Sequence, residues 1–196
     1  MIIDALATVL PFVAFMGFAL RRLVTYLHIF QQEEYDSRRF VIWLFEQRVF
    51  DRKVSAIFLV AGLLWFFGLP SFLQTFLVVA PLALVAFVEK DPRKDSKKKL
   101  ALTGRAKRIL VTAFILSVGP GSLLLLTDMP WIWIAAVQAL PFMLALGNIV
   151  LQPYEDIVQN RFWVEAHNKL ISLSPTVIGI TGSFGKTSVK HILAHI

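Results

Sequence analysis

Pro130–Leu151 reads PWIWIAAVQALPFMLALGNIVL, an uncharged run of 22 residues. A helix needs about 20 predominantly apolar residues to cross the hydrocarbon core of a bilayer, so this stretch predicts a membrane span. Four more apolar segments lie upstream, at Ile2–Leu20, Val54–Leu69, Ser71–Val88 and Ile109–Leu126. The second is a little short. Gly68-Leu69-Pro70-Ser71 makes a tight turn after it, so the second and third segments predict a helical hairpin. Thr127-Asp128-Met129-Pro130 is the same kind of turn between the fourth and fifth. Composition agrees. The chain is 57% hydrophobic and 17% charged, whereas an ordinary soluble domain is about 45–50% apolar and 25% charged.

The basic residues set a topology. Arg21, Arg22, Arg38, Arg39, Arg48, Arg52 and Lys53 lie between the first and second segments. Lys90, Arg93, Lys94, Lys97, Lys98, Lys99, Arg105, Lys107 and Arg108 lie between or at the edges of the third and fourth. Arg161, Lys169, Lys186 and Lys190 follow the fifth. These groups hold all 20 Lys and Arg. With five spans every group falls on one side, which the positive-inside rule makes cytoplasmic. The other side keeps the N-terminus and two turns, with Asp4 and Asp128. Four or six spans would put basic residues outside. The predicted protein is therefore multi-pass in the cytoplasmic (inner) membrane, with its N-terminus out and its C-terminal part in. The start, Met1-Ile2-Ile3-Asp4, lacks the basic leader of a secretory signal, and Arg21 and Arg22 come after the apolar run. This segment reads as a retained first span.

Other features refine the picture. Trp65, Trp131 and Trp133 fall near the predicted outer ends, as interfacial anchors or as lipid-facing bulk. Pro81, Pro120 and Pro141 fall inside spans, where membrane helices tolerate them. Asp36 or Ser37 makes a good helix cap. The segment beyond, Phe40-Val41-Ile42-Trp43-Leu44-Phe45 running into Arg52-Lys53, reads as a helix in the membrane interface or as an amphipathic connector packed on the spans. Arg38 and Arg39 are candidates for a lipid-headgroup or substrate site. Glu89–Arg108 is a basic loop that fixes topology or attracts anionic lipid. It has no interleaved aromatics, so nucleic acid is not expected as a partner. The absence of cysteine excludes disulfides and cysteine chemistry. His191 and His195 are spaced i, i+4, but Ile192 follows the first where a zinc-protease motif needs Glu. His28 and His167 stand alone and read as interfacial or solvated.

From Pro153 the chain leaves the predicted membrane. Pro153 suits a first helical turn, with Glu155 and Asp156 favourable near the positive end of the helix. Ile157, Phe162, Ala166 and Leu170 fall near one face of a connecting helix that Ser172-Leu173-Ser174-Pro175 ends. Val177-Ile178-Gly179-Ile180 then reads as a short buried strand. Thr181-Gly182-Ser183-Phe184-Gly185-Lys186-Thr187-Ser188 follows as a glycine-rich loop, and Val189 to Ile196 begins a helix. A phosphate cradle needs that order. Backbone N–H groups and the helix N-terminus face the anion, Lys186 adds a point charge, and a hydroxyl can hold Mg2+.

The common Walker A spacing, G-x-x-x-x-G-K-[ST], would need glycine at position 180, which is Ile180. The form present is T-G-S-x-G-K-T-S, with Gly182 three before Gly185. This loop and its hydrophobic strand resemble the ATP-binding loop of the Mur ligase family. The approach from Pro153-Tyr154-Glu155 through Asn168-Lys169-Leu170 also resembles the lead-in of the family members that add D-alanyl-D-alanine to a muramoyl tripeptide. The resemblance covers about residues 153–196. It implies an ATP-dependent acid–amino-acid ligase, in which a carboxylate is phosphorylated, an amine attacks the acyl phosphate, and phosphate leaves. It further implies that Gly182, Ser183, Phe184 and Gly185 offer N–H groups to the phosphates of ATP. Lys186 would be the catalytic residue, holding the transferring phosphoryl oxygens. Thr187 would sit on Mg2+ or a phosphate with Ser188 beside it, and Thr181 would shape the turn.

The expected fold is mainly α. A polytopic helical membrane domain of about five spans occupies residues 1–152, and a cytoplasmic connecting helix occupies 153–175. The first strand, P-loop and helix of an α/β Mur-ligase central domain occupy 176–196. The family's remaining metal ligands, adenine pocket and C-terminal domain would lie beyond Ile196. The chain is therefore expected to be the amino-terminal part of a longer ligase of cell-envelope or peptidoglycan precursor synthesis, inactive by itself. The expected cofactors are ATP and Mg2+. The expected partners are membrane lipid and lipid-linked or membrane-proximal envelope precursors. Two alternatives share the same features: another ATP user such as a polyglutamate-type synthase, and a non-enzymatic membrane partner protein.

Overall fold

Helix α1 (Ile2–Gln32) is the spine of the computed structural model, which describes residues 2–47, 52–68, 71–89, 92, 99–126, 130–175, 178–179, 181 and 185–194. The expected first span ended at Leu20, where charge begins. The helix instead continues for three more turns. Leu23, Tyr26, Leu27 and Phe30 are all buried, and their i, i+3, i+4, i+7 spacing keeps one face on the core. The helix stops in a turn where Glu34 and Tyr35 take positive φ of 58° and 60°.

Six further helices follow among the described residues: α2 (Ser37–Glu46), α3 (Arg52–Phe66), α4 (Ser71–Val88), α5 (Gly104–Leu126), α6 (Pro130–Leu173) and α7 (Lys186–Leu193). Each expected apolar segment is helical. The described residues contain no strand. The chain divides into two units, residues 1–153 and 154–196.

Within the first unit α1 packs against α4 and α5, and α3 packs against α4. Phe15, Phe18, Leu23, Leu27, Ile109 and Leu140 belong to one buried cluster. Close approach is built in at two glycines. A Cβ on Gly121 would lie 3.1 Å from the Phe12 ring and 3.2 Å from the Phe15 ring. A Cβ on Gly147 would lie 3.2 Å from the Ala113 backbone nitrogen, so α5 and α6 meet there backbone to backbone. α5 starts five residues before the expected Ile109, because Thr103 caps it: its Oγ1 accepts from the Ala106 N–H at 3.2 Å.

Helix α2 is held from both ends. The Asp36 carboxylate accepts from the N–H groups of Arg38 at 2.8 Å and Arg39 at 3.1 Å. Phe40 and Leu44 face the core, and the Phe40 ring meets Phe30 edge-on at 5.0 Å. One face of this segment is therefore a packed connector. Ile42 and Phe45 remain exposed on the other side.

Helix α6 corrects two expectations. The fifth apolar segment and the connecting helix are one continuous helix of 44 residues. Pro153 lies inside it rather than in a first turn, and so does Pro141. An interior proline removes a hydrogen bond and crowds the carbonyl four residues back, yet the long helical run on both sides carries through it. Trp133 is also not an interfacial anchor. It is 5% exposed and packs against Phe15 and Phe58, with ring centroids 6.4 and 6.1 Å apart. The side chains of Trp65 and Trp131 lie outside the described residues, as do Arg48–Asp51, Lys90–Asp91, Arg93–Lys98 and Thr127–Met129.

Among the described residues two helices are long and apolar enough to cross a membrane, over Val9–Gln32 and Ile132–Leu173, and Thr75–Val88 is a shorter apolar helix. The exterior of the first unit is also apolar: Phe66, Phe67 and Phe87 are 82%, 80% and 86% exposed. Large exposed apolar surface of this kind marks contact with something other than water.

Candidate nucleotide-binding loop

In the second unit the helix ends at Leu173. Ser174 has φ of 39°, and its N–H donates to the carbonyls of Leu170 and Ile171 at 3.0 and 3.2 Å. These bonds satisfy carbonyls that a helix end leaves open. Of the expected strand, Ile178 and Gly179 are in irregular chain, while Val177 and Ile180 lie outside the described residues. A strand forms only by pairing its N–H and C=O groups with a neighbour, and the described residues contain none.

The loop divides similarly. Thr181 is exposed and irregular; Gly182, Ser183 and Phe184 lie outside the described residues. Gly185 is the N-cap of α7 with φ 77° and ψ −2°, a left-handed conformation that a residue with a Cβ adopts only with strain. Its carbonyl accepts from the Val189 N–H at 2.9 Å, the first bond of the helix. Lys186, Thr187 and Ser188 are thus the first three helical residues, and all three side chains are exposed. The N–H groups at these positions have no partner within a helix. Gly185 brings no side-chain cap to them. An anion placed there would meet backbone donors, the positive helix end and the Lys186 ammonium together.

His191 is exposed on α7 and His195 lies outside the described residues. Among the described residues no cluster of three or more His, Asp or Glu could hold a metal. His28 approaches Gln32, Nε2 to Nε2 at 3.0 Å. His167 stacks on Trp163 at 5.1 Å.

Of the two expected headgroup residues, Arg39 is engaged locally. Arg39 lies 3.5 Å from Glu34 and 3.6 Å from Asp36. Two polar features escaped the sequence reading. Arg22 pairs with Glu89 across α1 and the end of α4. Asn148, 7% exposed, donates to the Tyr35 carbonyl at 3.1 Å and to Ser37 Oγ at 3.0 Å. Arg105 Nη2 donates to Asn148 Oδ1 at 3.4 Å, and its guanidinium lies 4.7 Å from the centre of the Tyr35 ring. The signal was available: Asn148 is the last polar residue in a 22-residue run with no charge, and a buried amide needs partners. No family model matches the chain, and no curated protein or solved structure matches it.

Proposed function

We propose that this chain is the membrane domain and opening ATP loop of a Mur-type ATP-dependent ligase, forming an amide bond through an acyl phosphate. The observation that carries the reading is the left-handed Gly185 heading α7, with Lys186, Thr187 and Ser188 at the first helical positions. The resemblance of T-G-S-x-G-K-T-S to the family loop supports it. In this reading Thr181, Gly182, Ser183, Phe184 and Gly185 wrap the phosphates. Lys186 stabilises charge on the transferring phosphoryl group, and Thr187 holds Mg2+ with Ser188 beside it. Val177–Ile180 becomes a strand once a neighbouring strand of an α/β domain pairs with it. Val189, Ile192 and Leu193, 41%, 61% and 36% exposed, give α7 an apolar side that such a sheet would cover.

The five apolar helices span the cytoplasmic membrane with the N-terminus out and the loop in, where ATP is. The spans hold the ligase beside lipid-linked or membrane-proximal envelope precursors. The test is ATP binding by the polypeptide in native membranes, read by displacement of a fluorescent ATP analogue in the presence of Mg2+. Lys186→Ala should weaken binding about 10–100-fold, the loss of one charged hydrogen bond of ~1.5–3 kcal/mol. Equal binding by wild type and Lys186→Ala would overturn the reading.

A further inference from the structure

A cavity of about 550 Å³ opens where α1, α3 and the end of α4 meet. That volume lies within the range of small-molecule sites. Arg22 from α1 and Arg52 and Lys53 from α3 line it together with Leu84, Val85 and Val88 from α4 and Glu89 just beyond α4. The Arg22–Glu89 pair is largely buried, with side chains 21% and 11% exposed, and Arg22 also lies 5.5 Å from the centre of the Tyr26 ring. That pair is positioned by the fold and close to neutral as a unit. Arg52 and Lys53 therefore leave the described lining with net positive charge.

Their place in the chain is unfavourable without a ligand. Both stand in the first turn of α3, which has no acidic residue, and cations are disfavoured at the positive end of a helix. An anion in the cavity reverses that sign, because it meets two cations and the helix N-terminus together. Helix α4 adds apolar surface to the lining: Leu84 and Val88 are 63% and 73% exposed. A lining that combines cations with exposed apolar surface suits an anionic amphiphile.

We propose that this cavity binds a phosphate group, held by Arg52 and Lys53 beside the Arg22–Glu89 pair, with an attached acyl chain lying along Leu84 and Val88. The lipid form of the ligand rests on the membrane reading above. Basic pockets at the cytoplasmic ends of membrane helices recognise anionic headgroups in this way.

The experiment is native mass spectrometry of the full chain extracted from bilayers of equal phosphatidylglycerol and phosphatidylcholine, counting lipids retained. Wild type should retain phosphatidylglycerol preferentially. The variant Arg52→Gln/Lys53→Gln should lose roughly 30-fold of that retention, the effect of two charges near an anionic headgroup. Arg161→Gln/Lys169→Gln, an equal charge loss at residues that do not line the cavity, should retain it. Equal retention by the two double variants, or no preference in wild type, would overturn the site. Inorganic phosphate at millimolar concentration separates the sources. Displacement of the lipid means that the phosphate alone is read and a soluble phosphate compound suffices. Resistance means that the headgroup is bound together with its chain. Carbonate extraction of the same membranes scores the membrane reading by itself: release into the supernatant would sink that reading, whereas an extraction-resistant protein with indifferent lipid retention would sink only the headgroup site.

Discussion

Asn148 reaches across 113 positions of sequence to donate its Nδ2 hydrogen to the Tyr35 carbonyl at 3.1 Å. Tyr35 is not glycine, yet its φ is 60°, a conformation that costs an ordinary residue about 1–2 kcal/mol. The contacts that hold it there come from four places. Asn148 takes the carbonyl, Gln31 Nε2 donates to the phenol oxygen at 3.0 Å, Phe30 meets the ring edge-on, and Arg105 covers its face. The strained turn between α1 and α2 is thereby tied to α5 and α6.

Replacing Asn148 with Leu keeps the volume similar and removes both donors. The Tyr35 carbonyl loses this partner and Arg105 loses its amide acceptor. Leaving a buried polar group unsatisfied costs about 1–3 kcal/mol. Thermal unfolding of the detergent-solubilised protein should show Asn148→Leu melting below wild type, with Ser122→Leu as an exposed comparison. An unchanged melting temperature would mean that the network carries no stability.

Gly147 sets the distance between α5 and α6. Two effects compete in Gly147→Ala. The helix gains about 1 kcal/mol of propensity, while the new Cβ meets the Ala113 nitrogen at 3.2 Å and its Cα at 3.5 Å. A few tenths of an ångström of helix movement relieves that contact, so Ala should be close to neutral. Gly147→Leu adds three more carbons against a backbone that cannot rotate away, and overpacking of this kind costs about 1–3 kcal/mol. Melting curves of the two variants should differ in that order. A stable Leu variant would place the helices further apart than described.

What was legible in the sequence was the hydropathy. Uncharged runs marked helix existence, and the Asp36 cap was visible as a short acceptor before an apolar stretch. What was not legible needed a second helix to be seen. Continuation of α1 past Arg21 rests on Leu23, Tyr26, Leu27 and Phe30 meeting a core, and hydropathy windows average that periodicity away. Trp133 looked interfacial because its position along the span suggested a boundary, but Phe15 and Phe58 come from α1 and α3 to bury it. Of the loop, the left-handed glycine and the helix after it follow from Gly185-Lys186-Thr187. Ile178 and Gly179 are irregular rather than in the expected strand, because pairing is a property of two segments.

Asp36 makes the α2 cap sensitive to acid. The Arg39 N–H lowers its carboxyl below the ordinary carboxylate value most strongly, partial desolvation opposes it, and the Arg38 N–H and both guanidinium charges add to the lowering. A lowered folded pKa stabilises the native state above the unfolded value, about 3.9. That stabilisation is lost as pH falls through the folded value. Asn caps without titrating. The difference in melting temperature between wild type and Asp36→Asn should therefore be flat from about pH 5 to 8 and narrow below about pH 4. A difference that does not change on acidification would remove the charge from the account of the cap.

Gly185 should matter to nucleotide binding through its backbone. Alanine at φ 77° costs about 1–2 kcal/mol, roughly 5–30-fold in affinity where the bound loop needs that turn. Gly179→Ala is the comparison, because a Cβ there would meet nothing within 4 Å. Titration with ATP and Mg2+ should show Gly185→Ala weakened in that range and Gly179→Ala unchanged. If Gly185→Ala binds as wild type does, the turn is not part of an ATP site.

The topology can be read without background, because the chain has no cysteine. Single substitutions Asp4→Cys and Asp128→Cys mark the segments expected outside; Lys97→Cys and Lys190→Cys mark those expected inside. A maleimide that cannot cross the membrane should label the first pair in intact cells and the second pair only after lysis. The five-span reading places all 20 basic residues on one side, and each label reports the side of its own segment. Labelling of Lys190→Cys in intact cells would put the loop away from cytoplasmic ATP and remove the ligase reading with the topology. Labelling of Asp128→Cys only after lysis would cut the span count and leave the loop's side to be judged by position 190 alone. Each site thus tests the side of one segment, and agreement of all four is required for the N-out, five-span arrangement.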